Sequence, residues 1–310
     1  MTLTLTVDAE AWHRHVRSVA DAFGDHLIPV VKGNGYGFGR RRLCDEARAL
    51  SDLVAVGTVH ELDICSGPDA WAGDVLVLTP VLDVDAGLDR RAILTVGSTA
   101  HLNGIAGRRV VVKLVSAMQR YGGGIDLIDA ARGAGAEVVA VSIHPPLVGD
   151  RVGEIARWVD AVPDDLEIWV SHIGADELER LSAAGRPGRF RVRSGTGLWH
   201  GDKSMLHLGA DVIDLRPVTA GTPLGYHQRP AAHDGTVVMV GAGSAHGVRE
   251  LPDGRSPFHF ARRRLELAEH PHMHTSMVLV TDGAGRPGLG DLIDVQAPLT
   301  TVWVDVIDHR

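Results

Sequence analysis

From about residue 9 to residue 215, short apolar β-branched runs alternate with stretches whose apolar positions recur at helical spacing. The strand-like runs lie at 27–31, 53–57, 74–78, 92–96, 109–115, 137–142, 166–170 and 190–193. Amphipathic stretches fall between them, at 9–22, 125–134, 153–162 and 176–184. A strand-then-helix rhythm builds βα units and a parallel sheet. Eight strand runs predict an α/β fold whose first part, 1–215, is a (β/α)8 barrel, and the chemistry of such a barrel lies at the carboxyl ends of its strands. After about residue 216 the rhythm stops, and glycine and proline become dense. Runs at 236–240, 276–281 and 300–307 read as strands, so 216–310 is expected to be a small, mostly β domain. The alternating run at 1–8 is free to join it, and 257–267 reads as one helix or an insertion.

Composition narrows the picture. The 310 residues carry a net charge of -8 and no basic cluster, which argues against a nucleic-acid partner. No apolar run approaches the ~20 residues of a membrane helix, and the N-terminus lacks the features of a signal peptide. Two cysteines, Cys44 and Cys65, make no disulfide framework and point to a reducing cytoplasm. Seventeen histidines, many in the last third, suit acid–base chemistry or metal binding equally.

The chemistry-bearing feature is Lys32. The run 27–31 ends there, and Gly33-Asn34-Gly35-Tyr36-Gly37-Phe38-Gly39 follows. A buried strand thus delivers one amine into a glycine-rich turn, where low dielectric lowers a lysine pKa and frees the amine as a nucleophile. An imine-forming lysine needs that state. The glycines let the backbone turn sharply and let a planar ligand approach.

The string from Val31 to Gly39 resembles the pyridoxal-phosphate (PLP) attachment motif of alanine racemases, V-K-A-(D/N)-A-Y-G-H-G, with Phe38 for the usual histidine. The resemblance implies that Lys32 holds PLP and moves the α-proton, with Tyr36 among the cofactor contacts. Further islands extend it. The stretch 112–122 is similar to K-x-D-T-G-M-x-R-x-G, eroded at Val115-Ser116-Ala117. It implies that Arg120 bonds the phenolic oxygen and that Lys113 helps position it. His144, after a strand, matches the histidine that packs on the ring. Ser171, His172 and Gly174 match the phosphate cup, where free amides at a helix start suit an anion. Arg193 matches the arginine that faces the pyridine nitrogen and weakens the ring as an electron sink, with Gly195 and Thr196 adding phosphate contacts.

The C-terminal part departs from the family. Where alanine racemases carry I-G-Y-x-D-G, this chain has Ala242-Gly243-Ser244-Ala245-His246-Gly247. Ser244 stands at the catalytic tyrosine and is too weak an acid to replace it. His246 or His274 is the expected second acid/base, with Ser244 behind them. In 270–277, Met273 and His274 match substrate-binding positions. In an extended chain His270, His272 and His274 would share one face and could hold zinc. The sequence offers no fourth ligand, so these histidines are expected to line a substrate pocket or a dimer seam and no metal is expected.

The resemblance implies a PLP-dependent amino-acid racemase or epimerase, acting on a small amino acid as a head-to-tail homodimer with shared active sites. The lost tyrosine keeps open a lyase, decarboxylase or aldolase of the same fold, with or without a metal at those histidines. A non-catalytic PLP-binding protein is the third reading.

Overall fold

The computed structural model describes residues 3–67, 69–183, 189–201, 203–283 and 285–310. Two compact units divide the chain: one holds 15–35 and 39–201, the other the opening residues to 14, residues 36–38 and the chain from 203 on. Strand β1 (Leu3–Val7) belongs to the second unit, and helix α1 (Ala9–Phe23) follows it.

The larger unit is a nearly closed barrel of eight parallel strands: β2 (Leu27–Pro29), β3 (Leu53–Val56), β4 (Asp74–Val77), β5 (Ala92–Val96), β6 (Arg109–Lys113), β7 (Glu137–Ser142), β8 (Glu167–Ser171) and β9 (Phe190–Ser194). Runs such as Val75-Leu76-Val77 and Val110-Val111-Val112 are buried throughout, as parallel strands covered on both faces must be. From β3 to β9 each strand pairs with its neighbour in sequence, and β2 pairs with β9. The ring closes through a single bridge, Val30 to Ala55, where the Val31 amide donates to the Ala55 carbonyl at 2.8 Å.

The helices α2 (Arg40–Ala47), α3 (Leu127–Gly133), α4 (Arg151–Val159), α5 (Ala175–Ala183) and the short α6 (Thr196–Trp199) lie along the connections. The expected stretches at 125–134 and 153–162 thus form helices shifted by one to three residues; of 176–184, residue 184 lies outside the described residues. Among the described residues no α-helix follows β4 or β5. The β4–β5 loop is instead held by Arg108, whose guanidinium donates to the carbonyls of Leu88 at 2.7 Å and Asp85 at 3.1 Å. A buried arginine with five donors can satisfy loop carbonyls that a helix would satisfy itself.

The second unit is a mostly antiparallel sheet. It contains β10 (Leu206–Val218), the hairpin β11 (Pro223–Leu224) and β12 (Arg229–Pro230), β13 (Gly235–Val240), β14 (Phe258–Phe260), β15 (Arg263–Arg264), β16 (Glu266–Leu267), β17 (Ser276–Val280), β18 (Leu292–Val295) and β19 (Val306–His309). The main order is β15-β14-β18-β10-β13-β17-β16, with β1 pairing both β10 and β19. Leu3, Leu5 and Val7 of β1 are buried while Thr4 and Thr6 are half-buried, so the alternating run at the start of the chain joins this sheet. β10 runs across residue 215 and belongs whole to this unit. No helix forms at 257–267: β14 and β15 make a hairpin whose two turn residues, Ala261 (φ 46) and Arg262 (φ 65), are left-handed. That is the mirror-image turn that matches strand twist. The expected strand at 300–307 begins only at Val306, after a 3-10 turn at Leu299–Thr301. No helix among the described residues is long and apolar enough to cross a membrane.

Candidate active site

Lys32 follows the bridge that closes the barrel, at the carboxyl end of β2. The turn beyond it is fixed by its glycines and by Arg40. At Gly35 (φ +62) a Cβ would lie 2.5 Å from the Arg40 backbone nitrogen, so no other residue fits there. Arg40 donates to the Gly33 carbonyl at 2.6 Å and pairs with Asp63 at 3.1 Å. Tyr36, expected among the cofactor contacts, is buried and holds a left-handed φ of 55, a conformation that costs a non-glycine residue energy. A second clamp acts on β2. The Trp199 indole N–H on α6 donates to the Val30 carbonyl at 2.7 Å.

The barrel mouth gathers basic side chains. Burial and the guanidinium charges of Arg120 and Arg193 hold the Lys32 amine below the usual lysine value, while Glu61 pulls the other way. Lys113, at the end of β6, is buried, and burial with Arg193 and Arg120 pushes its amine down to about 7. Its Nζ lies 5.5 Å from the Tyr121 ring centroid, and the Arg120 guanidinium lies 4.9 Å from the same centroid. Tyr121 is thus a shared cation–π platform, fixed by its hydroxyl donating to the Leu78 carbonyl at 3.0 Å.

Arg193, at the end of β9, is buried and donates to the Ile143 carbonyl at 3.0 Å. Burial lowers its pKa to about 10, so it stays charged at neutral pH. His144 shares a hydrogen bond with Ser171 through Nδ1, and its ring lies 4.3 Å from that of His172. Burial, then the charges of Arg193 and its neighbours, push His144 down to about 2, so the imidazole is neutral. His172 is left-handed (φ 63), and its Nδ1 lies 2.9 Å from the Pro145 carbonyl, so that nitrogen donates.

Two helix starts were candidates for an anion. At α5 the Gly174 amide already donates to Glu177 Oε2 at 2.9 Å, and Arg151 holds that carboxylate. A carboxylate fills the expected cup at Gly174, and the Ser171 hydroxyl is committed to His144. At α6 no side chain caps the helix, and Gly195 and Thr196 form its start. First-turn amides without a cap are ready donors. The start of α6 at Gly195 and Thr196 thus carries no side-chain cap, whereas the Gly174 amide is already taken by Glu177.

Two lysines, two arginines and two neutral histidines, with Glu61 the acid acting on Lys32, make a mouth that attracts anions and keeps an amine nucleophilic. A dianionic phosphate and a phenolate would supply the missing negative charge, so these residues fit PLP. Tyr121 and Glu61 were missed in the sequence; Tyr121 lies beside Arg120 within a motif already singled out, whereas Glu61 carries no local signal.

In the second unit, Ser244 begins a 3-10 turn, Ser244–His246, and is exposed. His246 is buried: its Nδ1 accepts from the Gly243 amide at 3.1 Å, and its Nε2 faces Asp305 at 3.1 Å. Both ring nitrogens are engaged, so His246 is a structural anchor in this arrangement and not the free acid/base expected of it. His274 is exposed, with its ring edge-on to His246 at 5.8 Å. Met273, expected at the substrate, is 68% exposed. The shared face of His270, His272 and His274 does not form, because the chain bends and the His272 amide donates to the Thr275 carbonyl. His270 Nδ1 pairs with Glu250 at 2.7 Å and His272 with the buried Glu269. Among the described residues no group of three ligating side chains could hold a metal ion.

Residues 7–147 match the family model of the alanine racemase N-terminal domain. The whole chain is similar in structure to alanine racemase from Bartonella henselae with covalently bound pyridoxal phosphate, at 17% identity and TM-score 0.70, covering 98% of each chain. It is similar to biosynthetic alanine racemase from Pseudomonas aeruginosa, at 19% identity and TM-score 0.66, covering 100% of this chain and 99% of the other. The enzyme from Acinetobacter baumannii matches at 17% identity and TM-score 0.68 over 100% of both chains. No curated protein sequence matches.

Proposed function

We propose that this chain, which has the alanine racemase fold, is a PLP-dependent amino-acid racemase or epimerase. The observation that carries the reading is the basic barrel mouth, with the Lys32 amine held below its ordinary value by burial, Arg120 and Arg193. PLP bound there would supply an aldehyde that condenses with amines and a ring that withdraws electrons from the α-carbon. Lys32 would carry it, the start of α6 at Gly195 and Thr196 would take its phosphate, Arg120 its phenolic oxygen and Arg193 its ring nitrogen. His144, neutral and pinned to Ser171, would pack against it without adding charge.

This chain's residues then hold and move the proton. The Lys32 Nζ, its amine held below the usual lysine value by burial, Arg120 and Arg193, would take the α-proton from one face. Tyr121 packs against Lys113 and Arg120, and so helps place the Arg120 charge that lowers the Lys32 amine. Inversion needs a second proton carrier on the other face. Ser244, smaller than a tyrosine, suits a larger or more polar amino acid than alanine. We further infer a homodimer in which the β-rich unit of one copy completes the substrate pocket of the other. A lyase or decarboxylase of the same fold is the second reading, favoured by Ser244, since one-sided chemistry needs one proton carrier.

The test is incubation of the purified, PLP-loaded protein in heavy water with separate L- and D-amino acids, following α-deuterium uptake and chirality. Uptake with inversion supports the racemase. Uptake without inversion moves the reading to one-sided chemistry, and no uptake with any amino acid refutes it.

A further inference from the structure

The barrel unit carries a charged cavity at the end away from Lys32. It lies where the chain enters β2, β3, β8 and β9, and its volume is about 410 Å³, within the range of small-ligand sites. Asp25 and His26 come from the 3-10 turn before β2, Ser51 and Asp52 from the turn before β3, Glu167 opens β8, and Arg191 is the second residue of β9. All six belong to the barrel unit. Lys32 stands beyond the carboxyl end of β2, so the parallel strands keep this cavity and the basic mouth at opposite ends of the barrel. The amino ends of barrel strands ordinarily serve stability.

Arg191 marks the difference. An arginine offers five N–H donors. Here Nη2 is shared between the Ser51 hydroxyl at 3.2 Å and Asp52 at 3.4 Å, both long bonds. Asp52 is 89% exposed, so solvent screens that pair. Nε is buried with no acceptor, and Nη1 makes no hydrogen bond among the described residues. A buried donor left unsatisfied costs about 1–3 kcal/mol. Arg109 at the start of β6 shows the ordinary structural use, with both terminal nitrogens on Asp74 at 2.6 and 2.5 Å. The rest of the cavity wall offers acceptors. His26 Nδ1 donates to the Phe190 carbonyl at 2.7 Å, which leaves Nε2 the acceptor of the neutral ring. Glu167 is held by the Trp169 indole at 2.6 Å through one oxygen. Asp25 makes no hydrogen bond or ion pair among the described residues. With Asp52, three carboxylates face one guanidinium, a surplus of two negative charges. They do not converge as metal ligands would, since no three ligating side chains among the described residues could hold an ion.

We propose that this cavity binds a free amino acid in its zwitterionic form, with its carboxylate on Arg191 and its ammonium among Asp25, Glu167 and His26 Nε2. A simple anion would meet the carboxylates, and a simple amine would leave Arg191 without its acceptor. A ligand with both charges close together answers both, through charge-assisted hydrogen bonds at each end. The negative surplus favours a further cation on the side chain, so a basic amino acid binds best. The inference stands apart from the racemase reading, since none of these six residues belongs to the mouth around Lys32.

The experiment is calorimetric titration of the full-length protein with L-lysine, L-alanine and L-glutamate. The mouth is first filled with PLP and the adduct fixed with borohydride; a protein that takes up no PLP sinks the racemase reading and is titrated as it stands. L-Lysine is expected to bind with a dissociation constant of about 1 mM or tighter, L-alanine more weakly, and L-glutamate about tenfold or more below L-lysine. Butylamine and acetate, each carrying one of the two charges, should bind about tenfold or more below L-lysine. Arg191→Met should weaken L-lysine about tenfold or more. Asp25→Asn, which has no bond in the fold to lose, should weaken it about threefold at an unchanged thermal midpoint, and it decides the matter should Arg191→Met not fold. The proposal is overturned if none of the three amino acids binds at about 10 mM, if L-glutamate equals L-lysine, if butylamine does as well as L-lysine, or if Asp25→Asn binds as the wild type does.

Discussion

Lys113→Met is expected to make the cofactor-free protein more stable at pH 6, despite removing a charged residue from the barrel mouth. Lys113 is buried, and its amine is pushed from an ordinary 10.5 down to about 7, first by burial and then by Arg193 and Arg120. Its folded value lies below its unfolded value, so the unfolded chain holds more protons between the two. Stability therefore rises with pH across that window and is lowest below pH 7. At 1.36 kcal/mol for each pH unit, the full penalty is about 5 kcal/mol. The charge also gains about 0.5–2 kcal/mol from the Tyr121 ring, leaving a net benefit of about 3 kcal/mol for a methionine of similar length. Urea unfolding in phosphate-free buffer, followed by tryptophan fluorescence, gives the comparison. The variant should exceed the wild type at pH 6, and the gap should shrink to below about 1 kcal/mol by pH 10. Equal midpoints at pH 6, or a gap that does not close on raising the pH, would refute the argument.

His144 works in an acid window: its folded value of about 2 lies below the ordinary 6.5, so the protein should lose about 3 kcal/mol between pH 7 and pH 4 that His144→Gln does not lose, checked by urea midpoints at the two pH values. Trp199→Phe leaves the Val30 carbonyl without its indole donor and should cost about 1–3 kcal/mol in the same assay. Gly225 is left-handed (φ +66), and a Cβ would lie 1.8 Å from Glu269 Oε1; Gly225→Ala should cost about 2 kcal/mol or more, and a thermal midpoint equal to wild type would count against the packing described there.

The barrel strands are legible in the chain because each is a short β-branched run, and a strand buried on both faces needs nothing else. Lys32 is legible because it ends such a run. The missing helices after β4 and β5 are not, since Arg108 bonds to loop carbonyls about twenty residues upstream. The turn at Ala261 and Arg262 lacks the Asn-Gly or Gly-Gly signature of a mirror-image hairpin, so 257–267 read as one helix or an insertion. His246 looked free because Asp305, which engages it, comes from the far end of the chain. The zinc reading of His270, His272 and His274 assumed an extended backbone, and the chain bends instead. The filled cup at Gly174 was open to reading: Glu177, three residues on, is a capping acid at a helix start.

The barrel closes at its thinnest point, through one backbone bridge beside the residue that carries the chemistry. β2 has three residues, and across that seam the Val31 amide bonds to the Ala55 carbonyl. Opening the seam breaks few bonds, so its amide should exchange with solvent well before those of β6 or β7. The reactive lysine thus rides on the strand best able to breathe. The Trp199 indole on the Val30 carbonyl acts as the latch that sets how often it does so.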